Sequence, residues 1–220
     1  QLAAGAVGIC CAKVSEAEVM QLAGIKPILI TSPVISPDSL RRVVKLANHN
    51  EELQMVIDCQ QTADQLQEML CENDLDLGIL VDIDPGMGRT GIQAGRPAFD
   101  LVVHIVERCP NLKFLGLQMY AGNCMHISGH SERRKKYFKV MEKGSDTRDM
   151  IEASGIQVNK VSGGGTGTYD LERALGVITE LQAGSFAFMD IEYRDIGGVD
   201  KPLFEDFEVA LHLLVTAISQ

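Results

Sequence analysis

The sequence predicts an α/β fold with a parallel sheet, specifically a (β/α)8 TIM-type barrel, on three observations. First, short apolar runs alternate with amphipathic helical stretches along the chain. Connections of that length make successive strands parallel. Second, runs such as Ile79-Leu80-Val81 are apolar without alternation, as expected of strands covered on both faces. Third, the unusual residues follow the C-terminal ends of these runs, and the richest glycine cluster comes late in the chain, where barrels place phosphate sites. A doubly wound open sheet fits the first two observations, and the third favours the barrel.

Each element has its own signal. Residues 7–10 follow a glycine and read as a buried strand. Ser15-Glu16-Ala17-Glu18 reads as a capping box, opening a helix that ends near Gly24. Residues 28–31 form the next strand. Ser36-Pro37 is a cap followed by a first-turn proline, and Leu40, Val43, Val44 and Ala47 then recur at helical spacing. Residues 55–58 are a strand. Thr62 with Gln65 caps a helix bearing Leu66, Met69 and Leu70 on one face. Residues 77–83 are a strand, and Pro97 opens a helix with Ala98, Leu101, Val102, Ile105 and Val106 inward. A strand over 114–119 precedes a polar helix from Ser131 to about Glu142. A second helical piece over 147–153 ends at Gly155. The last units are a strand over 158–161, a glycine loop, a short helix over 171–175 and a strand over 178–181.

These seven units in 220 residues leave a barrel about one unit short of a typical length of roughly 250. Residue 1 falls inside what reads as a helix end. Residues 1–189 therefore read as a barrel incomplete at its N-terminus. Residues 190–202 are polar and glycine-bearing, and 209–218 (VALHLLVTAI) are apolar. The stretch 190–220 reads as a connection toward a further domain, or as a final barrel element.

Twenty Lys+Arg against thirty Asp+Glu give a net charge of −10. That disfavours nucleic acid or an anionic membrane as the main partner. A local anion site is still allowed, because backbone N–H groups carry no formal charge. Cys10, Cys11, Cys59, Cys71, Cys109 and Cys124 show no CxxC spacing. They read as reduced thiols of a cytoplasmic protein, not as a disulfide frame or zinc site. No signal peptide and no apolar run near membrane-spanning length is present.

Four loops carry the chemistry. Val161-Ser162-Gly163-Gly164-Gly165-Thr166-Gly167-Thr168-Tyr169-Asp170 places three consecutive glycines between a strand and a helix. Glycine admits positive φ, so successive N–H groups can converge on one anion, and the helix N-terminus adds its own. Thr166 and Thr168 add hydroxyls, and the whole reads as a phosphate cradle. In Asp82-Ile83-Asp84-Pro85-Gly86-Met87-Gly88-Arg89-Thr90-Gly91, alternation puts Asp82 and Asp84 on one strand face. Arg89 offers a planar cation in a loop free to fold over the barrel mouth, or pairs with one of those aspartates. Tyr120 ends a strand, and His126 follows it in the loop as a candidate base, with His130 read as an exposed residue. Gly184 and Ser185 follow the last strand and could reach the same phosphate.

Five blocks taken in order resemble D-threonine aldolase. They are residues 8–17 (GICCAKVSEA), 81–92 (VDIDPGMGRTGI), 116–126 (GLQMYAGNCMH), 162–170 (SGGGTGTYD) and 180–190 (ELQAGSFAFMD). D-Threonine aldolase is a pyridoxal-phosphate enzyme whose barrel is shared with alanine racemase and D-serine dehydratase. The resemblance implies that Gly164, Gly165, Thr166 and Gly167 hold the cofactor phosphate, with Gly184, Ser185 and Tyr120 nearby. It implies that Arg89 faces the pyridine nitrogen and that His126 faces the substrate hydroxyl. Ala121 stands where the family often has a histidine. The cofactor-bearing lysine of the family would precede residue 1, and Lys13 is not that lysine. The divalent-metal ligands would lie in a C-terminal β-domain beyond residue 220.

The resemblance thus implies, for a longer parent, a metal-dependent lyase that cleaves D-threonine-like β-hydroxy-α-amino acids to glycine and an aldehyde. A D-serine dehydratase on the same fold, a non-catalytic pyridoxal-phosphate carrier and an unrelated phosphate-binding barrel are the alternatives. A homodimer is expected by the same resemblance. The 220 residues alone are expected to show no aldolase turnover, and measurable glycine release from D-threonine by this chain would refute that.

Overall fold

The computed structural model describes residues 1–219. Its parallel sheet runs in the order β1 (Ile9–Cys11), β2 (Ile28–Ile30), β3 (Leu53–Ile57), β4 (Leu77–Asp84), β6 (Leu112–Met119), β7 (Lys160–Gly163), β8 (Glu180–Leu181), while β5 (Ile92–Gln93) pairs only with β4. Every strand on the main path lies beside its predecessor in sequence. That is the barrel order, not the reversing order of a doubly wound sheet.

The faces of the sheet agree. Ile28, Ile30, Met55, Ile57, Ile79, Val81 and Leu117 are buried in one core cluster. The same cluster takes in Ala17 of α1 (Val14–Leu22), Leu40 and Val43 of α2 (Pro37–Ala47), and Leu66 and Leu70 of α3 (Gln60–Glu72). Leu101, Val102 and Ile105 of α4 (Arg96–Arg108) and Ile151 of α5 (His130–Ala153) complete it. The alternate residues Leu29, Val56 and Leu80, with Leu115, form a separate cluster without any helical member. Alternation puts these on the opposite face. The helices therefore cover one face only, and the other face is a barrel interior. β1 and β8 are the two edges of the sheet. A cavity of ≈ 1180 Å³ borders them, lined in part by Ile9, Cys10, Gln54, Glu180 and Gln182.

Several helix starts differ from the sequence reading. Ser15 is not the cap of α1. The helix starts at Val14, and the Glu16 carboxylate accepts from the N–H groups of Ala12 and Lys13 at 2.8 and 3.2 Å. Thr62 does not cap α3, which starts at Gln60. Thr62 is buried, with its Oγ1 3.2 Å from Cys59 Sγ. The expected break between two helices around residue 145 is absent, because α5 is one 24-residue helix. Gly144 sits within it where a Cβ would overlap the Met119 sulfur. Gly144 is there for close packing.

From Asp190 to about Phe204 the chain packs onto the barrel. Met189, Tyr193 and Ile196, around α7 (Ile191–Arg194), join Met125 and Phe204 in a second buried cluster. Arg133 of α5 is fully buried and pins this segment. Its guanidinium donates to the carbonyls of Ile127, Ile196 and Gly197 at 2.9, 3.0 and 2.8 Å. Residues 209–218 form neither strand nor helix, and Leu213, Leu214 and Ile218 are exposed. Arg133→Met keeps the apolar stem but takes their donor from the Ile127 and Gly197 carbonyls, while Ile196 keeps the N–H of Gly129. It is expected to lower unfolding free energy by about 3 kcal/mol, read as a shift in urea midpoint at unchanged slope.

Candidate functional site

The C-terminal ends of β4, β6 and β7 bring three of the four loops together. β7 runs into the glycine loop, so Gly163 still pairs with Met119 in the sheet and Gln182 N–H donates to the Gly163 carbonyl at 2.8 Å. Gly164 turns the chain at φ +66. A Cβ on Gly165 would meet Met125 Sδ at 2.8 Å and Tyr120 Cε2 at 3.4 Å. A Cβ on Gly167 would overlap the Met125 carbonyl. Gly167 is thus required by close approach of two backbones, and Gly165 by the side chains of Met125 and Tyr120 packed against it.

Thr168 Oγ1 accepts from Gly165 N–H at 3.3 Å, and Thr166 Oγ1 accepts from Phe186 N–H at 2.9 Å. The second bond ties the loop to the turn holding Gly184 and Ser185. Residues 161–168 are all buried, yet the N–H groups of Thr166 and Gly167 donate to no acceptor among the described residues. Buried backbone donors rarely stay unpaired. The loop is followed by α6 (Tyr169–Leu175).

Arg89 pairs with neither aspartate. Asp84 Oδ1 accepts from the N–H groups of Gly86, Met87 and Gly88 at 2.9, 2.6 and 3.1 Å and shapes its own loop. Asp82 Oδ2 accepts from Thr90 Oγ1 at 2.9 Å, and Asp82 Oδ1 accepts from Gln118 Nε2 at 2.8 Å. The guanidinium of Arg89 stands instead over the Tyr120 ring, 5.5 Å from its centroid. Asn123 Nδ2 donates to the Gly86 carbonyl at 3.3 Å and holds the two loops together.

Below the loops lies a chain of polar contacts inside the barrel that the sequence reading missed. Gln182 Nε2 donates to Gln118 Oε1 and Ser162 Oγ, both at 3.0 Å. Ser162 Oγ donates to Glu180 Oε1 at 2.8 Å, and Lys160 Nζ reaches Glu180 Oε2 at 2.7 Å and Gln54 Oε1 at 3.0 Å. The missed signal was alternation: Asp82, Gln118 and Ser162 each stand next to buried apolar residues (Val81 and Ile83, Leu117 and Met119, Val161) that face the other way. Asp82 is 3% exposed. Burial pushes its carboxyl up to about 6, with Asp58 adding to the rise, while Gln118, Thr90 and Arg89 hold it down.

The histidines divide. His126 is half-exposed, beyond the Met125 that underlies the glycine loop, with its ring edge-on to Tyr193 and Nδ1 3.6 Å from Glu192 Oε1. His130 is not the solvent-exposed residue expected. Its Nε2 lies 2.8 Å from Asp170 Oδ2 in a largely buried pair joining α5 to α6. Behind the loop, Tyr137 donates to the buried carboxylate of Glu172. Glu172 also escaped the sequence reading, although it follows the core residue Leu171 on a short helix.

Among the described residues, Asp82 and Asp84 are engaged by other donors. One cluster of three donors stands elsewhere, between α3 and α4. Asp64, His104 and Cys109 hold ligand atoms within 4.8 Å of one another, and the His104 Nε2 to Asp64 Oδ1 contact is 2.6 Å. All six cysteines are free.

Residues 1–191 match the family described as alanine racemase, N-terminal domain. The chain belongs to that family. It is 34% identical over 217 residues to 3-hydroxy-D-aspartate aldolase of Paracoccus denitrificans (strain Pd 1222), covering 98% of this chain and 56% of that protein. It is 34% identical over 223 residues to D-threonine aldolase of an Arthrobacter species, covering 57% of that protein. The crystal structure of D-threonine aldolase from Filomicrobium marinum superposes with a TM-score of 0.88 at 33% identity, over 96% of this chain and 55% of that one. The chain thus spans a little over half the length of these relatives. The resemblance read from its five blocks and the alanine-racemase-type barrel are both borne out.

Because the carboxyl of Asp82 is raised in the folded chain, burial favours its protonated form. That stabilisation is full below the ordinary carboxylate range and is lost as pH rises through about 6. Asp82→Asn is therefore expected to gain stability relative to the wild type between about pH 4 and 7, by no more than roughly 3 kcal/mol. Parallel urea curves at the two pH values measure it, and an unchanged difference would refute it.

Proposed function

We propose that this chain forms the pyridoxal-phosphate-binding barrel of a lyase that cleaves D-threonine-like β-hydroxy-α-amino acids to glycine and an aldehyde. One observation carries the reading. A buried glycine loop with two unpaired N–H groups faces Tyr120 and Arg89, in a chain similar along its length to two aldolases of such substrates. The donors suit a phosphate, the tyrosine face suits a flat ring, and Arg89 is a cation that no carboxylate claims. The residues present therefore fit pyridoxal phosphate.

The backbone of 164–167, with Gly184 and Ser185, would hold the phosphate by N–H donation. Tyr120 would bound the ring, and Arg89 would face its nitrogen, favouring the unprotonated form. The cofactor supplies the sink for the electron pair left at Cα when the Cα–Cβ bond breaks. His126 would accept the proton of the β-hydroxyl, with Glu192 orienting its ring. Loss of that proton lets the β-carbon leave as an aldehyde, and protonation at Cα completes glycine. The buried wall of Met125, Tyr193 and Phe204 would limit water near the reacting carbon. A divalent ion would also acidify a β-hydroxyl, but among the described residues Asp82 and Asp84 are engaged by other donors, and no step is assigned to it.

The test uses the longer protein that contains this chain, incubated with D-threonine. Equal release of glycine and acetaldehyde is expected. A 2-oxo acid with ammonia would instead establish elimination, and neither product would leave a carrier. His126→Ala is expected to lower kcat by about 10² to 10⁴ with the cofactor absorbance unchanged. Gly165→Val is expected to abolish that absorbance. A His126 variant with full turnover would remove the residue from the reaction.

A further inference from the structure

The carboxyl of Glu172 lies directly behind the glycine loop. An added Cβ on Gly164 would meet Glu172 Oε1 at 2.7 Å, so the carboxyl touches the loop backbone itself. Glu172 is 5% exposed. Tyr137 donates to its Oε1, and its Oε2 has no partner among the described residues. No cation pairs with it among the described residues. Arg133 gives both terminal nitrogens to carbonyls and its buried Nε has no partner, His130 is engaged by Asp170, Arg173 is exposed, and Glu172 forms no ion pair among the described residues. The other charged neighbour, Asp170 on the same helix, repels it.

A buried carboxylate against an anion-binding loop is unfavourable, because the two negative charges meet in a medium that screens them poorly. A proton removes the conflict. We propose that Glu172 is a proton-coupled positioning residue of the cradle, so that an anion binds on the 164–167 loop together with a proton on Glu172. The inference rests on the reading of that loop as a phosphate site. The proton comes from solvent, no other bond changes, and release of the anion returns it.

The direction with pH follows. Burial pushes the Glu172 carboxyl up to about 7, against the Tyr137 hydrogen bond that favours the carboxylate. A bound anion raises it further. Above about pH 7 binding must therefore take up a proton, and affinity falls by up to about tenfold per pH unit. The second ionisation of a phosphate ester, near pH 6, acts in the opposite direction and is nearly complete by then.

The probe is 4′-deoxypyridoxine 5′-phosphate, which has no aldehyde and cannot condense with lysines. Calorimetry at pH 8 in two buffers of different ionisation enthalpy counts the protons taken up on binding. The wild-type chain is expected to take up close to one proton more than Glu172→Gln. Its affinity is expected to fall about tenfold between pH 7 and about 8.5, while that of Glu172→Gln stays flat. Tyr137→Phe, which removes the hydrogen bond favouring the carboxylate, is expected to move the fall to higher pH. The proton count of the wild type alone decides the matter if the glutamine variant does not fold. Zero uptake, or parallel curves for wild type and Glu172→Gln, would overturn the coupling and leave the cradle standing. No binding by the wild type at any pH from 6 to 8.5 would overturn both.

Discussion

The backbone of residues 163–167 runs against the backbone and side chains of 119–125 with no room for a Cβ at Gly163, Gly165 or Gly167. The rest of the site depends on this close approach. It sets Tyr120 beside the loop and Met125 beneath it. It lets Thr168 fold back onto Gly165 and brings Thr166 within reach of Phe186. Any side chain at these three positions would separate β6 from β7 at their C-terminal ends, where the sheet still pairs Met119 with Gly163. Sheet register and anion cradle are therefore one constraint.

A second constraint is the difference between the two faces of the sheet. The outer face is apolar and welded to the helices. The inner face is apolar only in the middle, at Leu29, Val56, Leu80 and Leu115, and polar toward Asp82, Gln118, Ser162 and Gln182. Buried polar groups are costly unless each finds a partner. Here they satisfy one another across four strands, because strand pairing places them side by side. The partners fix side-chain positions beneath the loops, so that the Asp82 carboxyl holds Thr90 and thereby the base of the Arg89 loop.

The sequence made this architecture legible where one physical signal dominated. Short, largely apolar runs marked most strands of the main path, with 158–161 (VNKV) and 178–181 (ITEL) the weakest, and GGGTG between strand and helix marked the cradle. Other features needed tertiary contacts. The role of Gly144 is set by Met119 on another element. Thr62 has the right residue type and spacing for a cap, yet α3 begins earlier and buries it. His130 acquires its partner from a residue forty positions away. Glu172 lies beside apolar residues on a helix of seven, too short for a periodicity argument. The stretch after Asp190 has a linker's composition, but Arg133, Met125 and Phe204 hold it on the barrel.

The charge distribution shows how a chain of net charge −10 can still present an anion site. Residues 161–170 contain no lysine. Attraction comes from N–H dipoles fixed by the backbone and from one guanidinium, Arg89, held over an aromatic face. Such donors need no reorganisation when the anion arrives. They are also weaker than an ammonium at contact, so nearby negative charge matters more. The acids close to the cradle are each muted in a different way: Asp84 by three N–H donors, Asp82 by Thr90 and Gln118, Asp170 by His130. Glu172 has only the neutral Tyr137 hydroxyl, which makes its own proton the remaining means of neutralising it.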